Sequence, residues 1–135
     1  MKIISIINQK GGVGKTTTVI NLASALSQLG KKILVIDLDP QGNATTGLGL
    51  SNTSQSDQTI YGILNGTMSI SNVIKKTEFQ NLDLISSNVD LSGLEVETAG
   101  DSDRAFILKA KLTAYLNDSK GLLSLIHISE PTRPY

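Results

Sequence analysis

The sequence has no cysteine and no tryptophan, and only one histidine, three prolines and two phenylalanines in 135 residues. Without cysteine there are no disulfides, thiolate zinc sites, cysteine-ligated iron–sulfur clusters or cysteine nucleophiles. One histidine excludes a multi-histidine metal centre. Charge of one sign is missing too: 12 Lys and Arg balance 12 Asp and Glu. No global field therefore draws the chain to nucleic acid or an anionic membrane. No apolar run reaches the roughly 18 residues of a membrane helix. Met1 to Ile7 begins like a signal peptide, but the run stops at Asn8-Gln9-Lys10 and no small-residue cleavage site follows. A buried strand is the better reading. With 39% hydrophobic residues, the composition predicts one ordinary soluble intracellular domain with a real core.

Along the chain, Lys2 to Ile7 reads as a central strand that ends in the turn-forming Asn8-Gln9-Lys10-Gly11-Gly12. Lys15 to Leu29 reads as a helix, with Val19, Leu22, Ala23, Leu26 and Leu29 on one face and Gly30 as its stop. Lys32 to Ile36 is apolar on both faces, as a parallel strand beneath helices should be. Together these make a βαβ unit. The Gly/Asn/Ser/Thr-rich stretch from Pro40 to about Gln58 reads as a long loop. Short helices are expected at Ile60–Asn65 and Ile70–Lys75, a strand at Leu82–Ile85, and a weak helix at Leu91–Thr98. Arg104 to Leu116 is a stronger helix, with Asp101 or Ser102 as N-cap and Ile107, Leu108, Leu112, Tyr115 and Leu116 on a stripe. The fold class predicted is α/β, a mostly parallel sheet with flanking helices.

The chemistry lies in the first 45 residues. Lys10-Gly11-Gly12-Val13-Gly14-Lys15-Thr16-Thr17 joins a strand to a helix start. Glycines let backbone N–H groups converge on phosphate oxygens, and the helix dipole adds positive charge there. The Lys15 ammonium can reach β- and γ-phosphates, the Thr16 hydroxyl can ligate Mg2+, and Thr17 can hydrogen-bond an α-phosphate. Gly11, Gly12, Val13 and Gly14 complete the cradle. The ordinary P-loop wants Gly six residues before the Lys; here that position is Gln9, and an extra Lys10 precedes the glycines. Asp37-Leu38-Asp39-Pro40-Gln41-Gly42-Asn43 follows the second strand, at the edge where parallel sheets bind ligands. Two carboxylates at i and i+2 share a side. Taken alone, this is also ordinary Asx-turn chemistry.

With its extra lysine the loop resembles the deviant Walker A motif of the ParA/MinD family of P-loop ATPases. The resemblance implies that Lys10 reaches across a nucleotide-sandwich dimer to the partner's phosphates. It assigns Asp37 to the water shell of Mg2+ and Asp39 to positioning the attacking water. Asp-x-Asp-Pro-Gln-Gly-Asn-Ala-Thr followed by Gly47-Leu48-Gly49 is most similar to the ParA/Soj branch of chromosome or plasmid partition proteins. The branch implies bacterial, cytoplasmic, nucleoid-associated ATP hydrolysis in an ATP-dependent homodimer. A ParB-like centromere-binding partner and non-specific DNA binding through the C-terminal half complete that picture, with no stable membrane insertion. A MinD-like membrane-associated cell-division ATPase is the alternative within the family.

The resemblance spans roughly 2–118. Next the family has a Walker B strand, apolar and ending in Asp. Here Leu116 is followed by Asn117-Asp118-Ser119-Lys120-Gly121. From Leu123 to Arg133 the chain resembles the conceptual translation of a sequencing-library adapter. Residues 1–121 are therefore expected to be the N-terminal part of a ParA-like ATPase domain, and 122–135 a non-native tail. The Walker B strand and C-terminal half are expected to be absent. As given, such a chain would be a non-catalytic fragment. His127 receives no role. The acidic residues between Glu78 and Asp103 and the basic Arg104, Lys109 and Lys111 read as solvated surface. Tyr61, Phe79, Phe106 and Tyr115 are too sparse for a base-stacking platform.

Overall fold

The computed structural model describes residues 2–7, 14–39, 41–50, 58–87, 103–117 and 122–128. Five strands, β1 (Lys2–Ile7), β2 (Lys32–Asp37), β3 (Ile74–Lys76), β4 (Leu82–Ile85) and β5 (Leu122–Ile128), form one sheet in the order β1-β5-β2-β4-β3. β1, β5, β2 and β4 run parallel, and β3 pairs antiparallel with β4 at the edge. Helices α1 (Lys15–Gln28), α2 (Asn43–Gly47), α3 (Ile60–Leu64), α4 (Ile70–Val73) and α5 (Asp103–Asn117) connect them.

β2 shows why the sheet is covered on both faces. Its apolar residues alternate between two cores, as a period of two requires. Leu34 and Ile36 join Ile85, Ile60, Ile63, Ile70 and Val73 with Leu108 and Leu112 of α5. Ile33 and Val35 join Leu82 and Leu84 with Val19 and Ala23 of α1 and Leu48 beyond α2. Leu84 is completely buried, so Leu84→Ala is expected to cost about 2–5 kcal/mol, read from the urea midpoint. A loss under about 1 kcal/mol would mean that the site collapses around the smaller side chain.

The expected elements β1, α1, β2, α3, β4 and α5 are present within a residue or two of their expected ends. The 91–98 helix and the Asp101 or Ser102 cap lie outside the described residues. Three features differ from expectation. Within the expected loop, residues 43–47 form α2. The helix expected over 70–75 ends at Val73, and Ile74 to Lys76 extend into β3. That strand is secured by pairing with Asp83, Leu84 and Ile85 of β4, a tertiary gain that local periodicity does not report. Third, residues 122–128, for which the sequence predicts no element, form β5 in the middle of the sheet. Leu122-Leu123-Ser124-Leu125-Ile126-His127-Ile128 has the apolar character of a buried strand, and β1 and β2 each offer it an open parallel edge. The pairing follows from that propensity, whatever the run's origin. β5 fills the position beside β1, but its own residues include no carboxylate. It therefore does not stand in for the Walker B strand, apolar and ending in Asp, whose absence is expected from the sequence.

On β3, the Lys75 ammonium donates to Ser86 Oγ at 2.7 Å, and burial pushes its pKa below the ordinary lysine value. The unfolded chain thus binds more protons than the folded one between the lowered pKa and the ordinary value of about 10.4. Stability from this group rises with pH across that window. Urea midpoints of the wild type relative to Lys75→Met are expected to increase between pH 8 and pH 10. A constant difference would show that Lys75 titrates normally.

Candidate functional site

The parallel strands bring their C-terminal ends to one edge. There β2 ends in Asp37, whose register partner on β5 is His127, and β4 runs on into Ser86 and Ser87. α1 starts at the same edge. Gly14 precedes it with φ +88°, a left-handed conformation that glycine adopts without strain. The Thr18 N–H closes the first helical bond onto the Gly14 carbonyl at 2.8 Å. N–H groups of a first helical turn point out of its N-terminus, where the dipole favours anions.

Thr16 is half-buried and Thr17 exposed. Lys10, Gly11, Gly12 and Val13 lie outside the described residues, and of Lys15 only the backbone, in the first turn of α1, is described. α2 packs against this start. A Cβ on Gly47 would overlap Ile20 Cδ1 and come within 3.9 Å of Thr16 Cγ2.

Asp37 is wholly buried and is held from two sides. Its Oδ1 accepts the Asp39 N–H at 2.9 Å, an Asx turn. Its Oδ2 accepts both the Thr45 N–H at 2.8 Å and the Thr45 hydroxyl at 2.7 Å. The Thr45 Oγ1 in turn accepts the Ser87 N–H at 3.1 Å. Asp39, 3% exposed, accepts the Gln41 N–H on Oδ1 at 2.9 Å and the Asn43 N–H on Oδ2 at 3.1 Å. Its carboxylate thus fastens the chain into α2, while Gly42 makes the turn at φ +66°.

The turn chemistry seen in the sequence is therefore real, and it fixes both carboxylates in place. An ionised carboxylate offers about four acceptor positions, so Asp39 has acceptor capacity beyond its two backbone bonds. The donors present suit a hard cation: a threonine hydroxyl and a buried carboxylate, both oxygen ligands. Among the described residues no cluster of three or more His, Cys, Asp or Glu could hold a metal alone. Mg2+ fits that pattern, because it typically uses one or two protein oxygens and takes the rest from phosphates and water.

Thr45 and Ser87 were not anticipated. Thr45 sits in a polar stretch with no periodic signal, and its bond to Ser87 crosses 42 residues of sequence. Two serines directly after an apolar strand, at a carboxyl edge, were the available hint. The Ser87 hydroxyl is buried with no hydrogen-bond partner among the described residues.

The family model for the AAA domain matches residues 1–119. The chain is 46% identical over 114 residues to the chromosome partitioning protein ParA of Caulobacter vibrioides, covering 84% of this chain and 42% of that protein. It is 46% identical over 113 residues to the sporulation initiation inhibitor protein Soj of Bacillus subtilis, covering 84% and 44%. Among solved structures, cobyrinic acid a,c-diamide synthase from Mycobacterium smegmatis with bound ADP and magnesium superposes with a TM-score of 0.81. That match has 32% identity and covers 93% of this chain and 50% of the other. The chain spans less than half the length of the two curated relatives.

Proposed function

The chain belongs to the AAA domain family, with a ParA/MinD-type P-loop fold, and from this we propose that it forms the ATP- and Mg2+-binding part of a partition ATPase for chromosome or plasmid segregation. One observation carries the proposal: the helix start at Gly14 and the clamped carboxylates of Asp37 and Asp39 share one sheet edge.

In this reading the backbone of Gly11 to Gly14 cradles the phosphates, and Lys15 neutralises the β- and γ-phosphate oxygens. Thr17 binds the α-phosphate. Thr16 and, through water, Asp37 hold Mg2+, which would supply further charge neutralisation on the transferring phosphoryl group. Asp39 orients the attacking water, its carboxylate held steady by two backbone N–H groups. Lys10 reaches the phosphates of a second copy, so that ATP closes a homodimer. The whole protein would then act in the cytoplasm on nucleoid DNA, bound without sequence preference, with a ParB-like partner promoting hydrolysis.

Light scattering of the full-length protein tests this reading. With ATP and Mg2+ the mass should double; with ADP, or for Lys10→Ala with ATP, it should remain that of one chain. A mass that is independent of nucleotide would reject the sandwich dimer.

A further inference from the structure

A backbone N–H can only donate, so the Ser87 N–H at 3.1 Å fixes the Thr45 Oγ1 as its acceptor. The single Thr45 hydroxyl proton must then point elsewhere, and Asp37 Oδ2 lies 2.7 Å away. The direction of this short chain, from Ser87 N–H through Thr45 Oγ1 to Asp37, is thereby set. Thr45 adds its own N–H to the same Oδ2, while the Asp39 N–H holds Oδ1. Both carboxylate oxygens are pinned, and the plane of the carboxylate is fixed.

All the groups involved are buried: Asp37, Thr45 and Ser87 are each 0% exposed. The chain also joins three separate pieces of the edge, namely the end of β2, the first turn of α2 and the exit of β4. α2 itself rests on α1 beside Thr16 through Gly47.

We infer that Thr45 is a positioning residue for the Mg2+–nucleotide site, its hydroxyl orienting the Asp37 carboxylate while tying it to the exit of β4. This rests on the proposed Mg2+ role of Asp37. In this role Thr45 acts through Asp37, whose carboxylate it orients. Partners of this kind typically change metal affinity about 10–100-fold when removed.

The test is equilibrium binding of a fluorescent ATP analogue to the full-length protein, with and without Mg2+. Thr45→Val keeps the shape and the backbone N–H but deletes the hydroxyl. It should raise the half-saturating Mg2+ concentration about tenfold or more, while affinity for the nucleotide in EDTA is unchanged. Thr45→Ser, which restores the hydroxyl, should return the Mg2+ dependence to that of the wild type. Thr46→Val, at the exposed neighbour, serves as the control. In the ligand-free protein the Ser87 amide should exchange faster in Thr45→Val than in Thr45→Ser, a readout needing neither metal nor turnover. If Thr45→Val does not fold cooperatively, Thr45→Ala against Thr45→Ser gives the same comparison.

Wild-type Mg2+ dependence in Thr45→Val, or a serine variant as defective as valine, would overturn the inference. Asp37→Ala separates the levels. If it shifts the Mg2+ dependence and Thr45→Val does not, positioning alone fails. If Asp37→Ala leaves that dependence untouched, the Mg2+ role of Asp37 fails and the inference falls with it.

Discussion

Replacing Lys15 with alanine is expected to lower ATP hydrolysis by the full-length protein on the order of 10²–10³-fold, the usual effect of deleting one pre-placed charge-stabilising group. Phosphoryl transfer spreads negative charge over the γ-phosphoryl oxygens and the leaving oxygen, and offers little covalent chemistry for a protein to perform. Catalysis must therefore come from positive charge positioned beforehand. A helix N-terminus contributes only about half an elementary charge, whereas an ammonium contributes a whole one on a stem long enough to follow the transferring group. Alanine is also the most helix-favouring residue, so the first turn of α1 keeps its intrinsic propensity. A thermal midpoint near that of the wild type would confirm that the loss is chemical. Lys15→Arg should remain strongly impaired, because a planar guanidinium does not substitute for a compact point charge in a close-fitting loop. Steady-state rates at saturating ATP decide the matter. An alanine variant within about threefold of the wild type would remove Lys15 from the catalytic group, since the effect expected is far larger.

Much of this fold was legible because its main elements carry their own periodicity. β2 reads as a doubly buried strand from Ile33 to Ile36 alone, and α1 from a stripe that places Val19 and Ala23 in the core. α5 was legible through Leu108 and Leu112. The parts that escaped depend on partners distant in sequence. α2 is only five residues long and polar; the carboxylates of Asp37 and Asp39 hold its first turn, where an apolar face would normally do so. β3 exists because β4 offers an edge. β5 comes from a run that resembles an adapter translation. A buried sheet accepts any run of suitable propensity, so its pairing carries no information on the origin of the run. The site divides along the same line. Spacing and strand position put Asp37 and Asp39 on one side of one sheet edge, while their roles come only from the family resemblance. The geometry of their clamp could not be read there, since Ser87 meets Thr45 only once β2 and β4 are paired.

The clamp makes Asp37 a polar residue whose loss should cost the fold heavily. Asp37→Ala removes the acceptor for three donors at once: the Asp39 N–H, the Thr45 N–H and the Thr45 hydroxyl. A buried donor left without a partner costs about 1–3 kcal/mol. The hydroxyl can rotate away, but the two N–H groups are fixed by the backbone. A loss of about 3 kcal/mol or more is therefore expected, a large share of the 5–15 kcal/mol that ordinarily stabilises a domain. Asp37→Asn should fall between alanine and the wild type. Its amide oxygen can still accept both Thr45 bonds, but its NH2 group then faces the Asp39 N–H, donor against donor. The half-buried carboxylate of Asp83, paired at the surface, gives the contrast. It pairs with Lys76 at 3.4 Å, and the lysine side chain is 88% exposed. Such surface pairs contribute about 0–1 kcal/mol, so Asp83→Ala should scarcely move the urea midpoint. The predicted order of midpoints is wild type close to Asp83→Ala, then Asp37→Asn, then Asp37→Ala well below. If Asp37→Ala unfolds at the wild-type midpoint, water reaches those N–H groups and the carboxylate is not clamped. Asp37 would then be held only by its ligand, and the positioning assigned to Thr45 would have nothing to act on.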